Sequence, residues 1–349
     1  MPKRFYRPQL DVVRCCAFLA VFCHHELPRT DVSRLAAAIA NGMGFGLSLF
    51  FVLSAYLITL LLLKETEETG SIHLGAFYKR RILRIWPLYL LGIGIGVFRS
   101  YHHGVLDQDK AWFIAALLFS GNMVSSAGVL MSHLWSISIE EQFYLLFPSS
   151  GSRFGRRGML AFALILIAGA NATMVYFAHV HAELDTTVWF SSLVQFEMFA
   201  AGILLALADS RLPRWGLAGS MAAAVFALCT WFAVAGLFQL KTQNAVAQTA
   251  AGLCFGYLMI AVACCVFIVA LQGLPAWRPF TYSGRISYGL YVFHIPAIAL
   301  LGRHFSSGLL NAGAALTMTY LLAALSYKFF EKPFLEFKRS LELIPTRAV

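Results

Sequence analysis

The sequence has little charge for its length. Asp, Glu, Lys and Arg make up 13% of the 349 residues, whereas hydrophobic residues make up 59%. Charged residues make up about a quarter of an ordinary soluble domain. The shortage of charge excludes that class, and apolar runs recur along the whole chain. The composition therefore predicts a polytopic membrane protein.

Acidic residues are scarcer than basic ones. The chain has 17 Asp and Glu against 27 Lys and Arg, a formal net charge of +10. In a soluble protein this excess would suggest nucleic acid as a partner. The sequence lacks interleaved arginines and aromatic residues, however, and its basic residues fall in short loops between apolar runs, where membrane orientation explains them. We therefore expect membrane lipid as a partner and no nucleic acid.

The sequence also lacks metal-ligand and redox spacings. Its seven cysteines all lie in apolar runs and behave as small hydrophobic residues, so we expect no metal. The basic start before the first apolar run resembles a secretory signal. No small-x-small cleavage site follows it, and we expect the run to be retained as a span. The cysteines are Cys15, Cys16, Cys23, Cys229, Cys254, Cys264 and Cys265.

Ten apolar runs are long enough to cross a bilayer, which predicts an all-α transmembrane helix bundle. The run 111–120 is too short to cross and is expected at the membrane interface, because counting it would place the arginines after residue 150 outside. With both termini cytoplasmic, the basic loops lie inside and segment 99–133 lies outside. The ten runs are 12–27, 42–63, 82–98, 134–148, 158–178, 188–208, 215–238, 247–271, 286–303 and 309–330.

The domain organisation is simple. We find no second soluble domain, no low-complexity linker and no internal repeat. The sequence predicts an integral-membrane domain over residues 1–334 and a short basic cytoplasmic tail over residues 335–349. The helix bundle and its loops must therefore carry the chemistry.

The first apolar run contains two ionisable residues on one helix face. Arg14 and His25 are eleven residues apart, three turns of a helix and about 16 Å along its axis. Asp11 lies three residues before Arg14 and is its nearest possible partner. Ionisable residues inside a span predict a functional site by default. The alternative is that both side chains reach toward opposite membrane interfaces without a function.

A second basic cluster lies where the third run begins. Arg81 and Arg84 share one helix face beside Arg80, at the cytoplasmic side of the predicted topology. Two guanidinium groups on one face can bind phosphate oxygens. Membrane topology alone would also place a basic cluster here. Both interpretations remain open from these residues.

Ionisable residues mark three later segments. Glu140 lies in a polar stripe with Ser136 and Tyr144, and could orient His25 or pair with an arginine of another helix. Glu331 precedes a Lys-Pro at the inner end of the last run, where we expect a cytoplasmic-side arginine as its partner. His294 is expected to be a hydrogen-bonded core histidine.

Six motifs in this order resemble the membrane acyltransferase-3 family. They are LDVVR with the later HH, FFVLSAYLI, FYKRRILRIWPLYLL, WSISIEEQFYLLFP, ISYGLYVFHIP and FFEKPF. The resemblance runs from about residue 7 to 334. It implies a ten-span core and a multi-pass enzyme of a bacterial inner membrane. Two positions depart from the family pattern: Ser48 stands where an acid is usual, and Ala55 where a glycine is usual.

The resemblance implies transfer of an acyl group, commonly acetyl, from cytoplasmic acyl-CoA to a hydroxyl of a carbohydrate or glycolipid acceptor. Histidine suits a base near neutral pH, so we expect His25 to be the general base, with a transient acyl-histidine as a variant. Glu140 would fix its tautomer, and Arg14 would guide the donor. The CoA phosphates would bind to Arg81, Arg84 and Arg80.

A secondary transporter is the competing class, because charged residues within ten spans also occur in transporters. The sequence shows no inverted repeat and no pair of Gly/Pro-broken helices. A purely structural protein would not need an arginine and a histidine on one buried stripe.

Overall fold

The computed structural model describes residues 5–26, 34–124, 128–238, 240, 249–301, 308–344 and 346. Within these ranges the regular structure is entirely helical, which confirms the predicted all-α class. The helices are α1 (Pro8–Glu26), α2 (Arg34–Met43), α3 (Gly46–Thr69), α4 (Leu74–His102), α5 (Leu106–Leu117), α6 (Trp135–His179), α7 (Ser192–Leu207), α8 (Leu217–Leu237), α9 (Ala250–Gln272), α10 (Arg278–Arg285), α11 (Ser287–Leu301), α12 (Gly308–Ser326) and α13 (Lys332–Ser340).

The chain forms two compact units, each built from separate stretches of sequence. Unit A comprises Arg7–Lys64 and Leu146–Gly284. Unit B comprises Met1–Tyr6, Glu65–Leu145 and Arg285–Val349. Helices α3 and α6 therefore each contribute residues to both units.

Six helical segments of the described chain are long and apolar enough to cross a membrane. A seventh is possible if α10 and α11, bent by 76° at their junction, form one span. The six are Ile39–Thr69, Leu74–His102, Ser132–His179, Leu217–Leu237, Ala250–Gln272 and Gly308–Ser340.

In the part of the chain that the structure describes, each of the ten predicted runs overlaps a helix, but not each helix passes as a span alone. Helix α7 is apolar but has only 16 residues. Helix α1 has 19 residues, and its Asp, Arg and His residues lower its hydropathy. Helix α5 has 12 residues, about 18 Å long, which is too short to cross a bilayer. The number of spans and the position of the termini remain predictions.

Helix α6 contains a break that separates two of the predicted runs. Gly155 has φ +58° and ψ −145°, outside the helical region, so the two arms of α6 are distinct helical segments. This backbone conformation is readily adopted only by glycine. The runs 134–148 and 158–178 correspond to the two arms.

Helix α1 is buried in unit A by close helix contacts. It packs against α2 and α9. A Cβ atom on Gly46 of α3 would lie 2.7 Å from the carbonyl oxygen of Ala17, and Gly284 of α10 lies even closer to the Asp11 backbone. Small residues permit such close approach between helices in membranes. Gly46 of α3 therefore serves close packing against α1.

Arg7 joins several elements of unit A just before α1. Its guanidinium donates hydrogen bonds to Asp209 Oδ1 and Oδ2 at 2.8 and 2.6 Å, to Tyr56 Oη at 2.7 Å and to Gln272 Oε1 at 2.8 Å. Tyr56 also donates to Asp209. Burial alone would raise the pKa of Asp209, but these hydrogen bonds and the Arg7 charge outweigh it and lower the pKa. The network ties the start of α1 to the ends of α7 and α9.

Unit B contains the end of α3, α4, α5, the beginning of α6, and α11 to α13. Helix α4 packs against α5, α11 and α13, and α11 packs against α12. A Cβ atom on Gly289 of α11 would lie 3.2 Å from Cβ of Ala323 in α12. Helix α13 continues through the expected domain boundary at residue 334 and buries Leu335. The beginning of the expected tail is thus helical and packed on unit B.

Candidate active site

Arg14 of α1 is paired within its own helix. Its Nη1 lies 2.6 Å from Oδ1 of Asp11, and the Asp11 side chain is 1% exposed. The pair is three residues apart, as the helical spacing predicted. Unit A therefore contains a buried carboxylate with a partly exposed arginine beside it, so a charged group is held on the face predicted to be functional.

The two histidines at the end of α1 have different environments. His24 is buried, and its Nδ1 donates to the carbonyl oxygen of Ala40 at 2.7 Å. His25 is exposed, and its ring contacts that of His24 with 5.1 Å between centroids. His24, the neighbour of the predicted base, is thus the histidine that a hydrogen bond holds in place. The predicted base, His25, can be reached from outside unit A.

Arg80 of unit B has two protein partners. Its Nη2 lies 2.9 Å from Oε2 of Glu65, which is 2% exposed, and its Nη1 donates to the carbonyl oxygen of Leu341 at 3.2 Å. Glu65 Oε1 also accepts from the backbone N–H of His73 at 2.8 Å. The Arg80 guanidinium therefore joins α3, α4 and the segment after α13.

Arg81 lies between aromatic rings and carboxylates. Its guanidinium carbon is 5.6 Å from the ring centroid of Phe77 and 5.9 Å from that of Tyr144. Glu140 and Glu141 act on it electrostatically. Its Nε atom is buried without a hydrogen-bond partner in the described part of the chain. Arg81 retains a donor for an added ligand.

Arg84 extends the basic cluster toward the last helices. It acts electrostatically on Glu331 and on Lys338. Glu331 is buried and accepts a hydrogen bond from Ser326 Oγ at 3.1 Å, whereas Lys338 lies 2.8 Å from Glu342. Arg84 thus acts on Glu331 electrostatically, while the expected pairing with a cytoplasmic-side arginine stays a prediction.

The adjacent carboxylates of α6 have different partners. Glu140 Oε1 accepts a hydrogen bond from Tyr144, one turn further along α6. Glu141 Oε2 accepts from Nε1 of Trp86 at 3.1 Å. The polar stripe of Glu140 and Tyr144 is confirmed. Glu140 also faces an arginine of another helix, Arg81, which was one of its two predicted roles.

Unit B thus brings together Arg81, Arg84 and Glu140, whereas Arg14 and His25 lie in unit A. The expectation that Glu140 orients His25 concerns both units and stays a prediction. The sequence analysis did not predict roles for Glu141 or Lys338. The second acid of the WSISIEEQFY segment was the available signal for Glu141, while nothing local pointed to Lys338.

His294 is a core residue, as predicted. It is fully buried, and its Nδ1 donates to the carbonyl oxygen of Tyr291 at 2.6 Å. Its ring lies 4.9 Å from that of His133, which donates from Nε2 to the carbonyl oxygen of Val292 at 3.2 Å. These bonds join the beginning of α6 to α11.

The two departures from the family pattern are both packed. Ser48 is fully buried, with no hydrogen-bond partner for Oγ among the residues that the structure describes. Ala55 packs closely against Gly202 of α7, where an added Cβ atom would lie 2.8 Å from the Cβ atom of Ala55. In the described ranges, no group of three or more His, Cys, Asp or Glu residues could hold a metal ion.

The chain is an integral membrane protein of helical architecture, with a buried Asp–Arg pair on α1 and a basic, carboxylate-lined cluster on α4. Residues 7–328 match the sequence model of the acyltransferase 3 family, described as an acyltransferase domain. The match covers most of the chain. The protein belongs to this family, which confirms the resemblance seen in its motifs.

Two curated relatives give the family match a context. The O-acetyltransferase OatA of Staphylococcus aureus (strain NCTC 8325 / PS 47) is 27% identical over 94% of this chain. The peptidoglycan O-acetyltransferase OatA of Listeria monocytogenes is 26% identical over 95% of this chain. The chain spans 57% and 56% of the lengths of these two relatives. No solved structure matches the chain.

Proposed function

We propose that the protein is an O-acyltransferase that moves an acyl group, acetyl by preference, from cytoplasmic acyl-CoA to a hydroxyl of a carbohydrate acceptor. The observation that carries this proposal is the face of α1 with Arg14 and His25 in a chain of the acyltransferase 3 family. The relatives named as O-acetyltransferases support acetyl as the group. The relative named for peptidoglycan supports a peptidoglycan-type or other surface glycan acceptor.

The basic cluster of unit B fits the phosphates of the donor. Arg81 has an unpartnered buried Nε, and Arg84 and Lys338 add positive charge beside it. Guanidinium groups bind phosphate oxygens well. Arg80 contributes charge to this surface, while Glu65 and Leu341 fix its guanidinium. Membrane topology alone does not explain why the carboxylates Glu140 and Glu141 act on Arg81.

The proposed reaction moves one proton in two transfers, through His25. His25 takes the proton of the acceptor hydroxyl as its oxygen attacks the thioester carbonyl. An oxygen–carbon bond then forms, the carbon–sulfur bond breaks, and the proton passes to the departing CoA thiolate. The exposed position of His25 suits contact with an acceptor that arrives from outside unit A. Arg14, held by Asp11, places positive charge near the donor.

The membrane arrangement is part of the proposal. The excess of basic residues in alternate loops supports ten spans with both termini in the cytoplasm. The basic cluster of α4 would then meet CoA on the side where it is made, and His25 would lie toward the other leaflet. A bacterial cell membrane suits the organisms of the named relatives. Glu140 is proposed to fix the tautomer of the base.

Replacing His25 tests the proposal. Membranes containing the full chain are supplied with radiolabelled acetyl-CoA, and label in a glycan acceptor is measured. We expect His25→Ala to lower transfer by about 100-fold or more, the range of general acid–base catalysis. The control is His102→Ala, which removes another exposed imidazole, on α4, and should transfer at the wild-type rate. Near-normal transfer by His25→Ala would remove His25 from the mechanism.

The same membranes distinguish the enzyme from a transporter. The family match favours the enzyme. Flux of a substrate without transfer of label would instead indicate a transporter.

A further inference from the structure

Two buried polar atoms of unit B have complementary chemistry and no partner. Arg81 Nε can only donate a hydrogen bond, and Glu141 Oε1 accepts one when the carboxyl is ionised. Neither has a partner among the described residues, although the two groups interact electrostatically. Buried polar groups are nearly always hydrogen-bonded. A ligand that carries both an acceptor and a donor would satisfy this pair.

Trp86 fixes the position of Glu141. Its Nε1 donates to Glu141 Oε2, which leaves Oε1 as the available oxygen. The Trp86 ring lies 5.3 Å from that of Phe119, which stacks on Tyr89 at 5.2 Å. Phe119 has φ +52°, an unusual value for a bulky residue. Such backbone strain persists where the surroundings hold it and is frequent at functional sites.

The order of these groups along α4 matches the order of groups in the proposed donor. Trp86, which holds Glu141, lies five residues after Arg81 and two after Arg84, so its backbone is about 7.5 Å further along the helix axis than that of Arg81. A CoA thioester carries phosphates first and then, along its pantetheine arm, two amide N–H groups. A carboxylate is a strong acceptor for an amide N–H.

The neighbouring Glu140 is not equivalent to Glu141. Tyr144 of the same helix already donates to Glu140. Glu141 instead bridges from α6 to α4 through Trp86, so its free oxygen is held relative to the arginines of α4. Glu141 is therefore placed to bind a ligand, whereas Glu140 accepts a hydrogen bond within its own helix.

We propose that Glu141 binds the donor by accepting a hydrogen bond from an amide N–H of its pantetheine arm, next to the arginines that bind its phosphates. This inference rests on the proposed function and adds a contact that determines specificity for an amide-bearing donor. Trp86 is its positioning residue.

Ligand analogues test this contact directly. The dissociation constants of acetyl-CoA and of two analogues, each with one arm amide replaced by an ester, are measured by calorimetry on the purified full chain. The ester keeps the shape of the arm but lacks the N–H. The wild type should bind one of the two analogues at least about tenfold less tightly than it binds acetyl-CoA. This is the loss typical of a hydrogen bond to a charged group. Glu141→Leu should bind that analogue and acetyl-CoA equally.

Matched variants separate this effect from a change in folding. Glu141→Gln keeps a neutral acceptor and should show a ratio between those of the wild type and Glu141→Leu, so it carries the test if the leucine variant does not fold. Glu197→Gln alters a buried carboxyl of unit A and should keep the wild-type ratio.

Three results would overturn the inference. In the first, the wild type binds both ester analogues as tightly as acetyl-CoA. In the second, Glu141→Leu keeps the wild-type ratio of the two dissociation constants. In the third, the leucine variant does not fold and Glu141→Gln keeps that ratio in full. A wild type that binds acetyl-CoA with this discrimination but transfers no acetyl group would instead overturn the proposed function.

Discussion

Nη1 of Arg14 donates to Oδ1 of Asp11 at 2.6 Å, and the two side chains differ in exposure, 22% for the arginine and 1% for the aspartate. The Asp11 backbone packs against Gly284, where a Cβ atom would overlap the Asp11 carbonyl oxygen. A buried carboxylate depends on its cation, because a single charge in an apolar interior is costly. The arginine of α1 therefore stabilises unit A in addition to its proposed role toward the donor.

This relationship predicts different outcomes for single and double variants. Arg14→Met leaves the Asp11 carboxylate without its cation and should lower the free energy of unfolding by about 3 kcal/mol. Asp11→Asn combined with Arg14→Met removes both charges and should recover most of that loss. Thermal unfolding in detergent measures the stability. The double variant should nevertheless transfer no acetyl group, and a fully active double variant would contradict the role of Arg14.

His24 and His25 are expected to affect different properties. His24→Ala removes a buried ring and the donor to the Ala40 carbonyl, so it should lower the free energy of unfolding by about 2 kcal/mol. His25→Ala should leave stability close to wild type because the ring is exposed. The measurement is the unfolding temperature of both variants alongside their transfer rates. Equal destabilisation by both variants would contradict the described burial.

Close helix contacts predict which glycines tolerate a methyl group. A Cβ atom on Gly46 would approach Ala17 O and Ala20 Cβ within 2.8 Å, so Gly46→Ala must push α3 away from α1. We expect a loss of about 2 kcal/mol in the free energy of unfolding. Gly94→Ala in α4 is the matched control, since a Cβ there meets nothing within 4 Å, and it should be neutral or slightly stabilising. A stable Gly46→Ala protein would contradict the α1 and α3 packing.

Local spacing predicted the contacts between residues close in sequence. The pair of Asp11 and Arg14 and the bond between Tyr144 and Glu140 follow from helical spacing of three and four residues. Hydropathy located the ten helical runs because each must bury an apolar surface. The first run, 12–27, was predicted as a span, but α1 is not among the six helical segments that pass as spans alone, since its polar residues lower its hydropathy.

Contacts between distant residues were not predictable from one sequence. Glu65 and Arg80 are 15 residues apart, Trp86 and Glu141 are 55 apart, and Arg7 and Asp209 are 202 apart. No periodicity connects such positions, because they meet only after the helices pack. The burial of His24 rather than His25 has the same origin, since it depends on where α2 places the Ala40 carbonyl.

The lowered pKa of Asp209 predicts a loss of stability in acid. A carboxyl with a lowered pKa in the folded state contributes stability above its ordinary pKa, and this contribution is lost as the pH falls through the folded pKa. Wild-type unfolding temperature should therefore fall between about pH 5 and pH 3. Asp209→Asn should be less stable at pH 7 and should change less over that range. Asp107→Asn, at a side chain 94% exposed, should follow the wild-type profile.

Glu197 predicts a stabilising substitution. The residue is 2% exposed on α7, and neither carboxyl oxygen has a hydrogen-bond partner in the ranges that the structure describes. Its charge acts on Tyr257 and Cys254 of α9. A buried acceptor without a partner costs about 1–3 kcal/mol, and an apolar side chain of similar length removes that cost. Glu197→Met should therefore raise the free energy of unfolding by about 1 kcal/mol, measured by thermal unfolding. Glu197→Gln keeps a buried polar group and should gain less. If Glu197→Met were instead less stable than the wild type, the carboxyl would have to be satisfied by a group that stabilises unit A.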